Sequence, residues 1–99
     1  MGSTSFTFNG IPFEWDPAKA RENRKKHGID FERACEVFLD PFLRVMDAGN
    51  APGEARQAVI GMTVAWSLLW VVFVERGESI RIISAREATA AERKDYEAQ

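Results

Sequence analysis

The sequence is short of the residues that most catalytic and metal-binding motifs require. Its 99 residues include one cysteine, Cys35, and one histidine, His27. A single cysteine cannot form an internal disulfide, and the pair lacks the spacing of zinc ligands, so we expect no metal, no cofactor and a reducing, cytoplasmic setting. A glycine-rich phosphate loop, an HExxH motif and a nucleophile elbow are also missing, which leaves phosphate-loop, zinc-hydrolase and serine-hydrolase chemistry unsupported.

Long hydrophobic segments are missing as well. The longest apolar run, residues 64–74, is interrupted by Ser67 and has about half of the roughly 20 residues that cross a bilayer. We therefore expect a buried central strand here and no association with a membrane. Residues 1–10 contain neither the basic nor the apolar region of a secretory signal.

The sequence does contain a normal share of apolar residues and an uneven distribution of charge. A chain of 99 residues that is 45% hydrophobic suits one compact domain, which we expect to span residues 1–99 with residues 1–5 as a tail outside the fold. The net charge of −2 argues against indiscriminate binding to nucleic acid. Residues 19–26 nevertheless contain five cations and one acid, which predicts a local basic patch.

The first 40 residues predict a hairpin and two helices. Apolar residues alternate on either side of Asn9 and Gly10, a pair that suits a tight turn, and Pro12 indicates a sheet edge. Capping signals predict a helix over residues 17–27 and a second helix capped by Asp30. The first helix has almost no apolar stripe, so we expect flanking apolar residues to hold it in place.

The remaining residues predict mostly strands. The pattern indicates a strand at 42–47, a loop at 48–54, a hairpin of 56–63 and 67–74, a strand at 79–85 and a final helix with a capping box of Thr89 and Glu92. We therefore predict an α+β fold, with a mainly antiparallel sheet of about four to five strands, two N-terminal helices and one C-terminal helix.

Arginine, lysine and one histidine are the reactive residues that remain, mostly at the ends of predicted elements. They suit metal-free cleavage of RNA by its own 2′-hydroxyl, because that reaction needs a base, an acid and cations around the charged transition state. Histidine changes charge near neutral pH, so His27 suits proton transfer. The planar guanidinium of arginine fits phosphate.

Structural explanations fit the same residues. Cations and His27 at a helix end interact favourably with the helix dipole, and arginines at strand ends protect sheet edges. Arg81 and Arg86 have opposite parity, so they converge only if the chain leaves the sheet before Arg86. Tryptophans are more often core residues than platforms for bases, a judgement that an exposed Trp66 would reverse.

Two segments carry a resemblance to a known family. They are "FEWDPAKARENRKKHGIDFERA" at residues 13–34 and "RIISAREATAAERKDYE" at residues 81–97. With them, residues 13–96 resemble the BrnT toxin family of bacterial type II toxin–antitoxin modules. The resemblance implies a RelE-like fold, ribonuclease activity that inhibits translation, and neutralisation by a BrnA-like antitoxin. It also implies a hetero-oligomer in which the ribbon-helix-helix part of the antitoxin binds operator DNA and represses the operon.

The resemblance also implies a set of site residues. The KHG, ExR and RIISAR motifs and the end of the long strand provide Lys26, His27, Glu54, Arg56, Arg76, Arg81, Ser84 and Arg86, whereas Lys19, Arg24 and Lys25 belong to the basic stretch of residues 19–26. We predict catalytic roles for Lys26, His27, Arg56, Arg76, Arg81 and Arg86. We predict substrate-binding roles for Lys19, Arg24, Lys25, Glu54 and Ser84.

Two other functions are compatible with this sequence. The first is a toxin that acts on a protein, as the gyrase-directed, ParE-like relatives of this fold do. The second is a module without catalysis that only binds the antitoxin. In each case the exposed basic helix offers a surface that an acidic segment of the antitoxin can cover.

Overall fold

Backbone pairing forms one six-stranded sheet in the computed structural model, which describes residues 2–51 and 54–99. In chain order, the elements are β1 (Thr4–Phe8), β2 (Ile11–Trp15), α1 (Pro17–His27), α2 (Phe31–Ala34), the 3₁₀ helix η1 (Cys35–Leu39), β3 (Arg44–Ala51), β4 (Glu54–Met62), β5 (Leu68–Arg76), β6 (Ser79–Glu87) and α3 (Ala90–Glu97).

The strands lie in the order β1-β2-β6-β5-β4-β3, and neighbours are antiparallel except β2 and β6, which are parallel. The predicted α+β class and the central position of β5 are confirmed. The count of four to five strands is wrong, because the N-terminal hairpin joins the sheet through β6. This pairing makes the sheet mixed, so it differs in detail from the RelE-like expectation.

The N-terminal hairpin turns at Asn9 and Gly10, as predicted. Their φ angles of 54° and 82° are the two positive values that a tight two-residue hairpin turn requires. Pro12 does not mark a sheet edge, because β2 lies between β1 and β6. It is tolerated because pairing with β6 begins one residue later, so its missing N–H breaks no bond to β6. The edge strand is β1, which includes residues 4–5.

The predicted loop at residues 48–54 is wrong for most of its length. The strand β3 continues to Ala51, and β4 begins at Glu54. A shift in register between Asp47 and Asn50 accommodates Gly49, whose φ is 90°. The small polar residues resemble a turn in composition, whereas pairing with β4 keeps them extended. Residues 52–53 of the predicted loop lie outside the described part of the chain.

The hydrophobic core lies on the face of the sheet that α2 and η1 cover. Its largest members are Phe13, Trp15, Ile29, Phe31, Val37, Val59, Leu69, Val71, Phe73 and Ile82. The helical segment η1 packs directly on β4, where a Cβ on Gly61 would lie 2.7 Å from the Cβ of Val37 and 2.8 Å from its carbonyl oxygen. A side chain at position 61 would therefore force the two elements apart.

The boundaries of α1 follow its capping residues. The carboxylate of Asp16 accepts the N–H of Ala18 at 2.9 Å, and Gly28 ends the helix with a φ of 72°. Asp30, by contrast, makes no capping bond to α2, because its carboxylate accepts a hydrogen bond from Nε of Arg24 at 2.6 Å. Asp30 therefore occupies the predicted N-cap position of α2, but its side chain does not cap the helix.

One buried amide attaches α1 to the sheet. Nδ2 of Asn23 donates to the carbonyl oxygens of Ile29 and Ala85, at 3.0 and 2.8 Å, and Oδ1 accepts the N–H of Ala85 at 3.0 Å. Asn23 is 6% exposed. It pairs with the edge of β6 beyond the point where β2 stops, as a neighbouring strand would. Flanking apolar residues are thus not the sole attachment of α1.

The helix α3 lies on the opposite face of the sheet, and none of its residues is buried. Polar contacts therefore attach it to the rest of the protein. The predicted capping box is present, the guanidinium of Arg44 donates to the carbonyl of Asp95 at 2.7 Å, and the hydroxyl of Tyr96 donates to Asp40 at 2.5 Å.

Burial alone would raise the pKa of Asp40, but hydrogen bonds from Tyr96 and two backbone N–H groups outweigh it and lower that pKa. Burial and Asp40 raise the pKa of Tyr96 to about 12.

None of the helices in the described ranges is long and apolar enough to cross a membrane.

We expect Asn23→Ala to destabilise the protein by about 2 to 4 kcal/mol, because it removes three hydrogen bonds and leaves both backbone groups of Ala85 buried without partners. Chemical denaturation would measure this loss, with Arg21→Ala, an exposed change on the same helix, as the control. A loss no larger than that of the control would contradict the role of Asn23.

We expect Tyr96→Phe to loosen α3 while the core stays folded, at a cost of about 1 to 2 kcal/mol. Because folding lowers the pKa of Asp40, its contribution is present above the unfolded value near 4 and is lost as the pH falls through the folded value. Hydrogen exchange of residues 90–97 in the wild type should therefore gain protection as the pH rises through this range. Tyr96→Phe should weaken that dependence, and an identical pH profile would contradict the contact.

Candidate active site

A groove of about 190 Å³ lies between α1 and β6. Its α1 side consists of Lys19, Glu22, Asn23 and Lys26, at the helical spacings i, i+3, i+4 and i+7, together with His27. Its β6 side consists of Ile83 and Ser84. Because Asn23 binds the backbone of Ala85, this side of the helix faces the sheet. We call this the α1–β6 groove.

The α1–β6 groove combines charge with groups that can move protons. Lys19 and Lys26 provide two cations, Glu22 is the one acid, and His27 and Ser84 add an imidazole and a hydroxyl. The four α1 side chains other than Asn23 are exposed, so a ligand reaches them from solvent. The groove therefore brings together four predicted site residues: Lys19, Lys26, His27 and Ser84.

A second group of predicted residues shares the sheet face that carries α3. Arg81, Ser84 and Arg86 pair with Val74, Val72 and Trp70, so all three point to one face. We expected Arg81 and Arg86 to converge only if the chain left the sheet before Arg86. The chain stays in the sheet, because β6 continues to Glu87. Instead, the register shifts between Ser84 and Ile82, and the extra residue, Ile83, resets the alternation.

Glu54 links two further arginines on this face. Its carboxylate lies 3.4 Å from Nε of Arg56 and 3.5 Å from Nη2 of Arg76. Both distances are long for charge-assisted hydrogen bonds, and Arg76 is 54% exposed. Glu54 therefore holds the guanidinium groups of Arg56 and Arg76 less firmly than a short ion pair would.

Arg81 and Arg86 are held more tightly than this pair. Nη1 of Arg81 donates to Glu14 at 2.7 Å and to the hydroxyl of Ser3 at 3.0 Å. Arg86 makes two parallel bonds of 2.8 Å to Glu92. Its guanidinium also lies 5.1 Å from the ring centroid of Trp70, as in a cation–π contact.

The bond with Glu92 changes the acidity of both partners. It raises the pKa of Arg86 and lowers the pKa of Glu92, against the opposing effect of burial. Arg86 therefore stays charged and anchors the start of α3. A phosphate reaches its remaining donors only alongside Glu92, or after displacing it.

Two predicted substrate-binding residues lie elsewhere on α1. Arg24 forms an ion pair with Asp30 at 2.6 Å, and Lys25 lies with Arg24 and Arg21 beside a different cavity. Neither residue lines the α1–β6 groove. The structure thus separates Arg24 and Lys25 from Lys19, Lys26 and His27.

Nucleophilic and metal-binding groups add little to the site. Cys35 is buried, and burial raises the pKa of its thiol to about 12, so it is not a thiolate near neutral pH. In residues 2–51 and 54–99, no three side chains of His, Cys, Asp or Glu are placed to share a metal ion.

The residues that the sequence did not predict are Asn23 and two carboxylate partners of the predicted cations. Asn23 positions the groove, whereas Glu14 and Glu92 hold Arg81 and Arg86. The sequence did indicate the position of Glu92, because its capping box placed it at the start of a helix close to Arg86 in sequence. Glu14 and Asn23 carried no such indication, since each meets a partner more than 60 residues away.

Comparisons with known proteins place this arrangement in a family. A family model described as "Ribonuclease toxin, BrnT, of type II toxin-antitoxin system" matches residues 15–92. The crystal structure of the Brucella abortus ribonuclease toxin BrnT aligns with a TM-score of 0.60 and 30% sequence identity, over 76% of this chain and 92% of that chain. No curated protein matches the sequence. The family match covers the α1–β6 groove and the four predicted site arginines of the sheet face, Arg56, Arg76, Arg81 and Arg86. The chain belongs to the BrnT family of ribonuclease toxins of type II toxin–antitoxin systems.

Proposed function

We propose that this protein is a metal-independent endoribonuclease toxin that inhibits translation in the cytoplasm by cleaving RNA. A BrnA-like antitoxin with a ribbon-helix-helix domain neutralises it in a hetero-oligomer. The complex binds operator DNA only through the antitoxin and represses its own operon. The observation that supports catalysis most strongly is the α1–β6 groove, where His27, Lys26 and Ser84 meet beside the arginine-bearing face.

The proposed reaction needs no group from outside the RNA and the protein. The 2′-oxygen of a ribose forms a bond to the adjacent phosphorus, and the bond from phosphorus to the 5′-oxygen breaks. The 2′-hydroxyl loses its proton to a base, and the departing 5′-oxygen receives one from an acid. The products are a 2′,3′-cyclic phosphate and a 5′-hydroxyl. His27 transfers a proton in this reaction.

Cations stabilise the extra negative charge on the phosphate in the transition state. Lys26 lies in the groove with His27, and Ser84 connects this groove to the face that carries Arg81 and Arg86. Arg56 and Arg76 are the cations most easily released to RNA, because their contacts with Glu54 are longer than the ion pairs of Arg81 and Arg86. The remaining predicted residues, Lys19, Arg24 and Lys25, bind the flanking phosphates.

One observation favours a function without catalysis. Each of the four arginines already has a glutamate partner, as in a surface whose charges are structural. In that alternative, expression without the antitoxin is harmless. The gyrase-directed alternative differs from both, because it leaves RNA intact and induces the response to DNA damage.

We expect the purified protein, freed of antitoxin, to cleave RNA in the presence of a chelator. Replacing the ribose before the cleaved bond by deoxyribose should abolish cleavage, because the attacking 2′-hydroxyl is then missing. Mass spectrometry of the products should find the cyclic phosphate. Growth arrest on expression without RNA cleavage under any condition would refute the nuclease.

We expect Lys26→Ala and His27→Ala each to lower the cleavage rate by about 100-fold or more, by analogy with other groups that stabilise a charged transition state. Both residues are exposed, so the variants should fold normally. The control is Arg21→Ala, which removes an exposed cation from α1 outside the α1–β6 groove. Equal rates for all three variants would show that the groove is not the site.

A further inference from the structure

A second groove, of about 290 Å³, lies at the turn between β4 and β5. Its lining consists of Phe8, Glu36, Leu39, Asp40, Pro41, Met62, Thr63, Val64 and Trp66. We call it the turn groove. Trp66 is 82% exposed and Val64 is 80% exposed, which makes them the most exposed large apolar side chains in the described residues. An apolar surface of this kind marks an interaction site more often than a feature of the fold.

The backbone at Trp66 adds a second reason to assign this surface a role. Its φ is 66°, a left-handed conformation that a large side chain adopts at a cost and that glycine adopts freely. Hydrogen bonds between Thr63 and Ser67 close the turn, and none of them uses the indole. The fold therefore gains little from a tryptophan here, and an unfavourable backbone holds its ring in solvent.

The charge of the turn groove indicates the kind of partner. Among the described residues, its charged lining consists of two carboxylates, Glu36 and Asp40, without a lysine or arginine. One oxygen of Glu36 accepts the N–H of Val64, which holds the carboxylate at the rim next to the exposed apolar residues. Such a surface repels the phosphates of RNA and suits an apolar segment that carries a basic side chain.

We propose that the turn groove is a docking site for the antitoxin, which inserts an apolar segment flanked by a lysine or arginine. This inference rests on the proposed function, since it takes the antitoxin of the toxin–antitoxin pair as the partner. The turn groove lies next to Leu68, the first residue of β5, whereas Arg76 is the last residue of the same strand. Nine residues of strand correspond to about 27 Å, so the docked segment anchors the antitoxin away from Arg76.

The test uses the full chain and the protein encoded in the adjacent reading frame. We expect Trp66→Gly and Val64→Ser each to weaken binding by about 10- to 100-fold in calorimetry, as for central apolar residues of an interface. Glycine suits the left-handed backbone, so Trp66→Gly should keep or raise the melting temperature. The matched control is Val45→Ser, since Val45 is 49% exposed and lies on β3 outside the groove.

The charge of the partner is tested by Glu36→Gln. This variant should weaken binding and reduce its dependence on salt, because it removes the carboxylate that faces the basic side chain. Full affinity in a folded Trp66→Gly variant would overturn the proposal. A salt dependence equal to that of the wild type in Glu36→Gln would overturn the basic character of the segment.

Other occupants give different results. If the wild type self-associates in sedimentation and Trp66→Gly abolishes this without changing antitoxin binding, a second copy of the chain occupies the groove and the proposal is wrong. If Trp66→Gly raises the KM for RNA and leaves antitoxin binding intact, the groove binds RNA, and the proposal is again wrong. Binding is measured without RNA, so failure of the proposed nuclease would not mimic failure of this inference.

Discussion

The pairing of Asn23 with the backbone of Ala85 is the contact on which the α1–β6 groove depends. The strand β2 pairs with β6 at two positions only, ending at Arg81, and leaves the rest of that edge without a strand. The amide of Asn23 satisfies both backbone groups of Ala85, and this fixes the rotation of a helix that has almost no apolar face. With this rotation fixed, Lys19 and Lys26, one helical turn to either side, face Ser84.

A single inserted residue, Ile83, decides which side chains of β6 share a face. Without the shift in register there, Arg81 and Arg86 would point to opposite sides of the sheet. With the shift, Arg81 and Arg86 join Arg56 and Arg76 on one face, where the four positive charges would repel one another. Carboxylates from β2, β4 and α3 form ion pairs with these arginines and offset the repulsion. The long contacts to Glu54 leave Arg56 and Arg76 the most available to a ligand.

Features that depend on neighbouring residues were predictable from the sequence. The helix at 17–27, the Asn9–Gly10 turn and the Thr89–Glu92 capping box each follow from a few adjacent residues, and all three are confirmed. The parallel pairing of β2 with β6 and the bulge at Ile83 were not predictable. Both features depend on chain segments that meet only after folding. The bulge was also missed because counting residues along a strand assumes that its register is unbroken.

The helix α3 connects the arginine-bearing face to the turn groove. Glu92, at its start, holds Arg86, and Tyr96, near its end, binds Asp40, which lines the turn groove. The oxygens of Asp40 already accept hydrogen bonds from Tyr96 and from the N–H groups of Phe42 and Met62. A basic side chain that binds Asp40 therefore competes with Tyr96 for the same carboxylate. Because no residue of α3 is buried, loss of the Tyr96 contact loosens the helix that keeps Glu92 on Arg86.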